Sequence, residues 1–474
     1  MQEKNSSIPS IFPVTCHTDY VGKGSTFVAI KGQRENGIEY INIALKKGAT
    51  TIVVPHDATL SEQIIKAIHI HKATLRKADN TRNQLALLSA QATKQAHTQL
   101  KFIGITGTKG KTSTAFILEH ILRNTGHNTA LVSTVYNKIK NQILTSTLTT
   151  DQPDYLHQFF ATCVEQNVEF VIMEVAAQAL SLHRVAGIIF DEVVFTNFDH
   201  EHGEFYNTLE AYFAAKCLLF KQMKPHAKIF VNIDDPWGKK IAANKQNVTP
   251  FSIESNNGIH ANISDNHTCM ITSQKNSYSF SHTLLGRFNI YNLLAAVGVA
   301  NKLGISLKNC AKQVNHFTGV PGRFELHTLK KGTRCFIDYA HNPSSFQAIL
   351  STLKTMTNDL IVIFGAGGSR DQEKRPIMGN IAAQWCDKIF LTTDNPRLED
   401  PNRIIAAIAA GIPKAKQEVV TLEPDRKKAI EKACRMASPS SIIAILGKGP
   451  DEYQIIGNTK KKFSEKEILH TFND

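Results

Sequence analysis

The residues with the clearest chemical meaning form the string GITGTKGKT, Gly104 to Thr112, between an apolar run at 101–107 and a helical-period segment at 111–125. Its glycines let the backbone curl so that N–H groups can face phosphate oxygens. A helix starting there adds a partial positive charge. Gly107, Thr108, Lys109 and Gly110 would form the cradle, with Ser113 in the first helical turn. Lys111 can reach the β- and γ-phosphates of ATP, and Thr112 can bind Mg²⁺. Gly104 lies six residues before Gly110, where the general phosphate-loop pattern has five. The match therefore rests on Gly-Lys-Thr at a strand-to-helix junction.

Further candidates lie past the ends of strand-like runs. VIMEV carries Glu174 at the end of an apolar strand, a carboxylate placed either to hold Mg²⁺ or to face water. FTNFDHEH (195–202) carries Asn197 and His202, and AYFAAK (211–216) carries Lys216 one turn after Tyr212. A protonated lysine cannot bind Mg²⁺, so on its own Lys216 reads as a surface residue; only as an anionic carbamate could it be a ligand. Asn289 and Asn292 in LLGRFNIYN suit either an adenine-side contact or the cap of an apolar helix at 293–300. IDYAHNP sets Asp338 beside His341. FGAGGSRDQEKRP offers Gly365, Gly367 and Gly368, then Arg370, Lys374 and Arg375, without the spacing of a dinucleotide fingerprint. TTDNPRLEDP supplies Asp394, Asn395 and Arg397, and LGKGPDEYQ supplies Gly447, Lys448, Asp451 and Glu452. Arginines there can clamp carboxylates, and the acids can receive an ammonium, which is the pattern of an amino-acid pocket.

The elements that position these residues read as strands alternating with helices, hence parallel sheets with right-handed crossovers. A first α/β block holds strands at 25–30 and 49–55 and helices at 38–47 and 61–72. A second holds strands at 101–107, 169–175, 191–197 and 227–233, with a polar, turn-rich excursion or small sheet at 255–283. A third holds strands at 334–340, 359–366, 387–394 and 440–446. The chain of 474 residues thus divides near 1–99, 100–326 and 327–474. With 42% hydrophobic and 20% charged residues, disorder and fibrous repeats are excluded. The 54 basic against 41 acidic residues give +13, which points to anionic partners. No nucleic-acid recognition module supports that class, and Lys460–Lys462 reads as a solvated face. The eight cysteines lack metal or redox spacing and read as buried free thiols of a reducing compartment. Neither a signal-like apolar core nor a run of about 18 apolar residues occurs, so a cytoplasmic protein without a membrane span is expected.

Taken in order, GTKGKT, MEV, FTN, AAK, GRFNIYN, VPGRFE, DYAHNP, GGSRDQEKRP and DNPR resemble the Mur ligase family over nearly the whole chain. They resemble most its branch that adds the third residue of the peptidoglycan stem peptide. The resemblance implies a three-domain α/β architecture: a UDP-substrate-binding first domain, a central phosphate-loop ATPase and a Rossmann-like C-terminal domain. It implies ATP and Mg²⁺, a cytoplasmic step of cell-wall synthesis that serves cell shape and division, and a monomer. The substrates implied are a UDP-muramoyl-dipeptide, ATP and, from Asp-Asn-Pro-Arg, meso-diaminopimelate. It makes Lys111, Glu174, His202, Lys216 and Arg323 catalytic, with Thr112, Glu174, His202 and carbamylated Lys216 on the metal. Asn289, Asn292, Asp338 and His341 would frame the nucleotide. Thr18, Thr149, Thr150, Arg184 and Lys216 would contact the muramoyl-peptide. Arg375, Asp394, Asn395, Arg397, Gly447 and Asp451 would hold the amino acid, Arg397 meeting its second carboxylate.

The chain also departs from the family. Ala176 and Ala177 stand where the pattern has serines, and His17-Thr18-Asp19 stands for Asp-Ser-Arg. Pro450 replaces a histidine in GKGPDEYQ, leaving Asp451 or Glu452 to supply the acid, and in FDHEHGEFYN the His-Gly usual after the metal-site histidine does not follow His202. A lysine-adding or folylpolyglutamate-type ligase, or a non-ligating phosphate-loop protein, are the alternatives. They are separated by amine-dependent phosphate release.

Overall fold

Strand Lys101–Thr106 is buried at every residue but the first, as a central parallel strand covered on both faces must be. The computed structural model that shows this describes residues 8–32, 35–201, 203 and 205–473. Two compact units emerge from it. The first is Met1–Phe198 with Thr208–Ile259 and Ala295–Gln313; the second is Asp199–Asn207 with His260–Leu294 and Val314–Asp474.

The first unit holds two sheets. Val14–Thr15, Thr26–Val28, Thr51–Pro55 and Thr74–Ala78 pair in parallel, in that order. In the larger sheet Lys101–Thr106 lies between Phe170–Glu174 and Glu192–Phe195. Thr129–Val132 follows on one side, and Ile229–Asn232 then Val248–Ser252 on the other, all in parallel. The register sets Ile105 opposite Glu174 and Thr106 opposite Phe195. All three strands therefore end together, and the carboxyl edge of such a sheet is where ligands bind. Beneath them Phe102 meets Phe160 and Phe190 edge-on, a fully buried aromatic core.

In the second unit, Arg334–Asp338, Ile442–Leu446, Leu360–Phe364, Lys388–Leu391 and Val420–Leu422 form a parallel sheet, with Glu325–Thr328 antiparallel at one edge. Apolar clusters cover both faces, one around Phe346 and Phe364, the other around Phe390 and Ile430. The excursion expected at 255–283 is an antiparallel ladder of Thr268–Ser273 with Asn276–Ser281 and with Ile259–Ile263. Two helix starts move: the helix expected at 38–47 opens as a 3-10 turn, Gly37–Tyr40, and is α-helical over Ile41–Lys46, and the helix expected at 293–300 is Arg287–Lys302, so Asn289 and Asn292 lie in its first two turns. Lys460–Lys462 is exposed, as expected, but on a strand, Thr459–Lys462, paired with Tyr453–Ile456. All eight cysteines are free; six are buried and Cys16 and Cys217 are half-buried.

Candidate active site

Gly110, at φ 80°, caps helix Lys111–Asn124, and Gly107 sits at φ 142°. A Cβ on Gly107 would fall 2.0 Å from Thr196 Oγ1, so only glycine fits. The loop is clamped by the neighbouring strand end. Asn197 accepts the Thr108 N–H on its carbonyl at 2.9 Å and the Lys109 N–H on Oδ1 at 2.9 Å. Its Nδ2, at 3.1 Å, and Thr196 Oγ1, at 2.6 Å, both donate to the Lys109 carbonyl.

Two ammonium groups converge on one atom of this loop. Lys111 Nζ donates to the Gly107 carbonyl at 3.0 Å and to that of Thr108 at 2.9 Å, while Lys216 Nζ donates to the same Gly107 carbonyl at 2.8 Å. Lys216 is 1% exposed and stacks over Tyr212 at 4.3 Å. The bare sequence reads it as a surface residue; it is buried because its helix, Leu209–Cys217, packs that turn inward. Two cations sharing one acceptor repel, and a phosphate chain or a change of charge on one of them relieves that.

On the other side of the loop stands Glu174, 1% exposed. Thr112 Oγ1 donates to its Oε2 at 3.0 Å; Thr134 donates its N–H to Oε1 at 2.9 Å and its hydroxyl to Oε2 at 3.2 Å. Thr134 Oγ1 also lies 3.1 Å from Thr149 Oγ1. Thr150 Oγ1 donates to the Glu174 carbonyl at 2.8 Å, and Arg184 Nη1 donates to the Thr150 carbonyl at 2.9 Å. Glu174, Thr112, Thr149, Thr150 and Arg184 thus form one hydrogen-bonded group, with Thr134 the member that sequence reasoning missed. A carboxylate and a threonine hydroxyl in contact are the hard oxygen donors that Mg²⁺ takes, so the residues fit the ion. Ala176, without a side-chain cap to offer, precedes the five-residue helix Ala177–Ser181; its N–H is taken by Thr150 Oγ1 at 3.1 Å. Thr18 lies in the turn Thr18–Tyr20, where its carbonyl accepts Lys47 Nζ at 2.9 Å. His202 lies outside the described residues.

In the second unit Asp338 is clamped rather than open: its two oxygens accept the N–H groups of Phe324 and Ala340, each at 2.7 Å. Burial raises its pKa, and the nearby Arg323 guanidinium opposes the rise. Arg323 lies over the Tyr339 ring at 4.4 Å. His341 Nδ1 bonds the Tyr339 carbonyl at 2.7 Å, and its Nε2 is 3.4 Å from Glu201. Asn289 Nδ2 reaches back to the Leu285 carbonyl at 2.9 Å, and Asn292 Nδ2 donates to Asn289 Oδ1 at 3.1 Å.

Arg375, Asp394, Asn395, Arg397, Gly447 and Asp451 gather at the carboxyl edge of the second unit's parallel sheet. Arg375 pairs with Glu399 at 2.9 Å, a partner the sequence reading did not foresee, and reaches the Gly367 carbonyl at 3.4 Å. Arg397, at φ 53°, donates through Nη1 to the Gly368 carbonyl at 2.9 Å. Burial lowers its pKa, and the neighbouring Arg370 adds to that. Gly447 must be glycine: at φ 112°, a Cβ would meet Asp394 Oδ2 at 2.5 Å. Pro450 closes on Gly322, whose φ of 66° leaves its Cβ direction filled by the Pro450 nitrogen at 2.1 Å. Asp451 follows it with its pKa raised by burial, against the pull of Lys448.

A phosphate loop at the edge of a parallel sheet, with a buried strand-end carboxylate hydrogen-bonded to its threonine, defines a nucleoside-triphosphate-dependent α/β enzyme. Residues 105–300 match the Mur ligase middle domain, and residues 322–449 match the Mur ligase glutamate ligase domain. The UDP-N-acetylmuramoyl-L-alanyl-D-glutamate–2,6-diaminopimelate ligase of Clostridium perfringens is 36% identical over 462 residues, covering 95% of this chain and 92% of its own. The ligase of the same name from Aquifex aeolicus is 35% identical, covering 96% and 92%. A solved structure of a ligase of that name aligns with a TM-score of 0.66 at 26% identity, covering 100% of this chain and 97% of its own. The MurF ligase of Thermotoga maritima, solved with ADP, shares the fold at a TM-score of 0.65 and 17% identity, covering 93% and 95%. The chain belongs to the Mur ligase family of ATP-dependent amide ligases. Among the described residues no helix is long and apolar enough to cross a membrane.

Proposed function

We propose that this chain joins meso-diaminopimelate to UDP-N-acetylmuramoyl-L-alanyl-D-glutamate, with ATP going to ADP and phosphate, in the cytoplasm and as a monomer. The observation that carries this reading is the near-full-length similarity to ligases of that name, in a chain whose Asp394-Asn395-Pro396-Arg397 string lies in a loop at a sheet's carboxyl edge. Diaminopimelate has a second carboxylate for Arg397 to pair with; lysine has none.

The γ-carboxylate of the D-glutamyl residue attacks the γ-phosphorus of ATP, giving an acyl phosphate and ADP. The amine of the incoming amino acid then attacks the acyl carbon, and phosphate leaves from the tetrahedral intermediate. Lys111, already at the loop carbonyls, neutralises charge on the transferring phosphoryl group, and Arg323 is assigned the same role. Glu174 and Thr112 would hold Mg²⁺, together with His202 and a carbamate on Lys216. When bound, that ion supplies charge neutralisation for the phosphates and the attacking carboxylate. Carbamylation of the Lys216 ammonium would take up CO₂ with loss of two protons, and the resulting anion would turn the repulsion between Lys216 and Lys111 into attraction. Thr149, Thr150, Arg184 and Thr18 receive the muramoyl-peptide. Gly107 to Ser113, Asn289, Asn292, Asp338 and His341 serve ATP. Arg375, Asp394, Asn395, Arg397, Gly447 and Asp451 serve the amino acid. Three functional domains, 1–99, 100–326 and 327–474, would divide this work. The test is phosphate release from ATP with the UDP-muramoyl-dipeptide and diaminopimelate, lysine or no amine. Release with lysine in preference to diaminopimelate would overturn the substrate assignment.

A further inference from the structure

The loop that carries Asp394 and Asn395 is held from behind by a lysine outside the set that would face the amino acid. Lys448 is fully buried. Its Nζ lies 3.3 Å from Asn395 Oδ1 and 3.9 Å from Asp394 Oδ1. Asn395 Oδ1 also accepts the Ile455 N–H at 2.9 Å. Two donors on one oxygen settle which end of that amide is which, and they leave the Nδ2 hydrogens for an acceptor of the kind a substrate carboxylate offers. Gln454 Nε2 ties the same loop through the carbonyls of Thr393 at 3.3 Å and Asp394 at 3.1 Å.

The lysine is itself fixed. Arg426 and Glu465, both buried, pair at 2.7 Å, and Arg426 Nη2 donates at 2.8 Å to the Leu446 carbonyl, two residues before Lys448. Burial pulls the pKa of Lys448 down, and the Asp394 carboxylate beside it opposes that. A buried ammonium needs acceptors, and those nearest Lys448 belong to the loop read here as the amino-acid site.

We propose that Lys448 is a positioning residue for the amino-acid substrate: its ammonium fixes the Asn395 amide and the Asp394 carboxylate in the orientation that receives the amino acid. This rests on the reading of that loop under Proposed function. Removing the ammonium while keeping the aliphatic stem leaves Asn395 free to turn and Asp394 without its buried counter-charge.

The experiment is steady-state kinetics of Lys448→Met, Asn395→Ala and the double variant in the full chain, with calorimetric ATP binding to show that each is folded. Lys448→Met should raise KM for the amino acid about tenfold, the scale of one lost charged hydrogen bond, with KM for ATP and for the UDP-muramoyl-dipeptide unchanged. The double variant should show less than the product of the two single effects, because Lys448 acts in part through Asn395 and otherwise through Asp394. An unchanged KM for the amino acid overturns the proposal, as does an equal rise in KM for ATP or full additivity with Asn395→Ala. If Lys448→Met does not fold, Lys448→Gln is read in the same way. A wild type that ligates lysine but not diaminopimelate counts against the substrate assignment, and Lys448 is then judged with lysine.

Discussion

Gly107→Ala is the substitution whose outcome the structure constrains most tightly. The added Cβ would sit 2.0 Å from Thr196 Oγ1 and 3.1 Å from both the nitrogen and the carbonyl oxygen of Asn197. Ordinary van der Waals contact is about 3.5 Å, so the loop or the strand end must move by about 1 Å or more. The φ of 142° adds a strain of about 1–3 kcal/mol for any residue with a Cβ. Thr196 and Asn197 are the residues that bind the Lys109 carbonyl and the Thr108 and Lys109 N–H groups, so the movement is transmitted to the cradle itself. A misplacement of about 1 Å at a reacting group costs about 10²-fold in rate. Gly107→Ala should therefore lose about 10²-fold in kcat/KM for ATP. Thr196→Ala, which removes the closest atom, should restore part of it in the double variant. Calorimetric ATP binding and steady-state kinetics measure both. Wild-type ATP affinity in Gly107→Ala would refute the reasoning, and so would a double variant worse than either single one.

Three further outcomes are expected. Arg397→Ala should lower the preference for diaminopimelate over lysine by about tenfold or more, as loss of a charged hydrogen bond would; an unchanged ratio of kcat/KM values rejects Arg397 as the selector. Glu465→Ala leaves the Arg426 guanidinium buried without its carboxylate, and breaking a buried pair costs about 3–5 kcal/mol; a melting temperature within a degree of wild type would contradict this. Burial, and then the neighbouring His97, push the pKa of His157 down to about 3, from 6.5. The folded state thus binds fewer protons than the unfolded one. The contribution is fully present above 6.5 and falls as pH drops toward 3, at up to about 1.4 kcal/mol per pH unit. Denaturant melts of wild type and His157→Phe between pH 7 and about 5 should show a shallower slope in the variant; equal slopes reject the assignment.

The phosphate loop was legible because it is a local pattern: an apolar strand, glycines, then Lys-Thr opening a helix. Glu174 and Asn197 followed from the same rule that parallel strands end together. Thr134 was not legible, since it follows a four-residue strand, Thr129–Val132, too short to show a period. Strand Thr74–Ala78 escaped for a different reason: it is an edge strand with mostly exposed residues, so it carries no apolar alternation. The helix start at Arg287 was hidden because the polar first turns of that helix bury their asparagines by bonding them locally. Glu399 as the partner of Arg375 depends on a loop-to-helix contact, and no spacing in the chain encodes that. Lys216 shows the reverse case: the bare sequence reads a lysine there as a surface residue, and the structure buries it.

The chain is proposed to ligate an amino acid with two carboxylates at the expense of ATP. The most direct measurement is phosphate release by the wild-type chain with Mg²⁺, ATP and UDP-N-acetylmuramoyl-L-alanyl-D-glutamate, comparing meso-diaminopimelate, lysine and no amine. Release that depends on diaminopimelate, with a UDP-muramoyl-tripeptide formed in equal amount, is the predicted result. Phosphate release that is the same with and without an amine, and no tripeptide, would contradict the account.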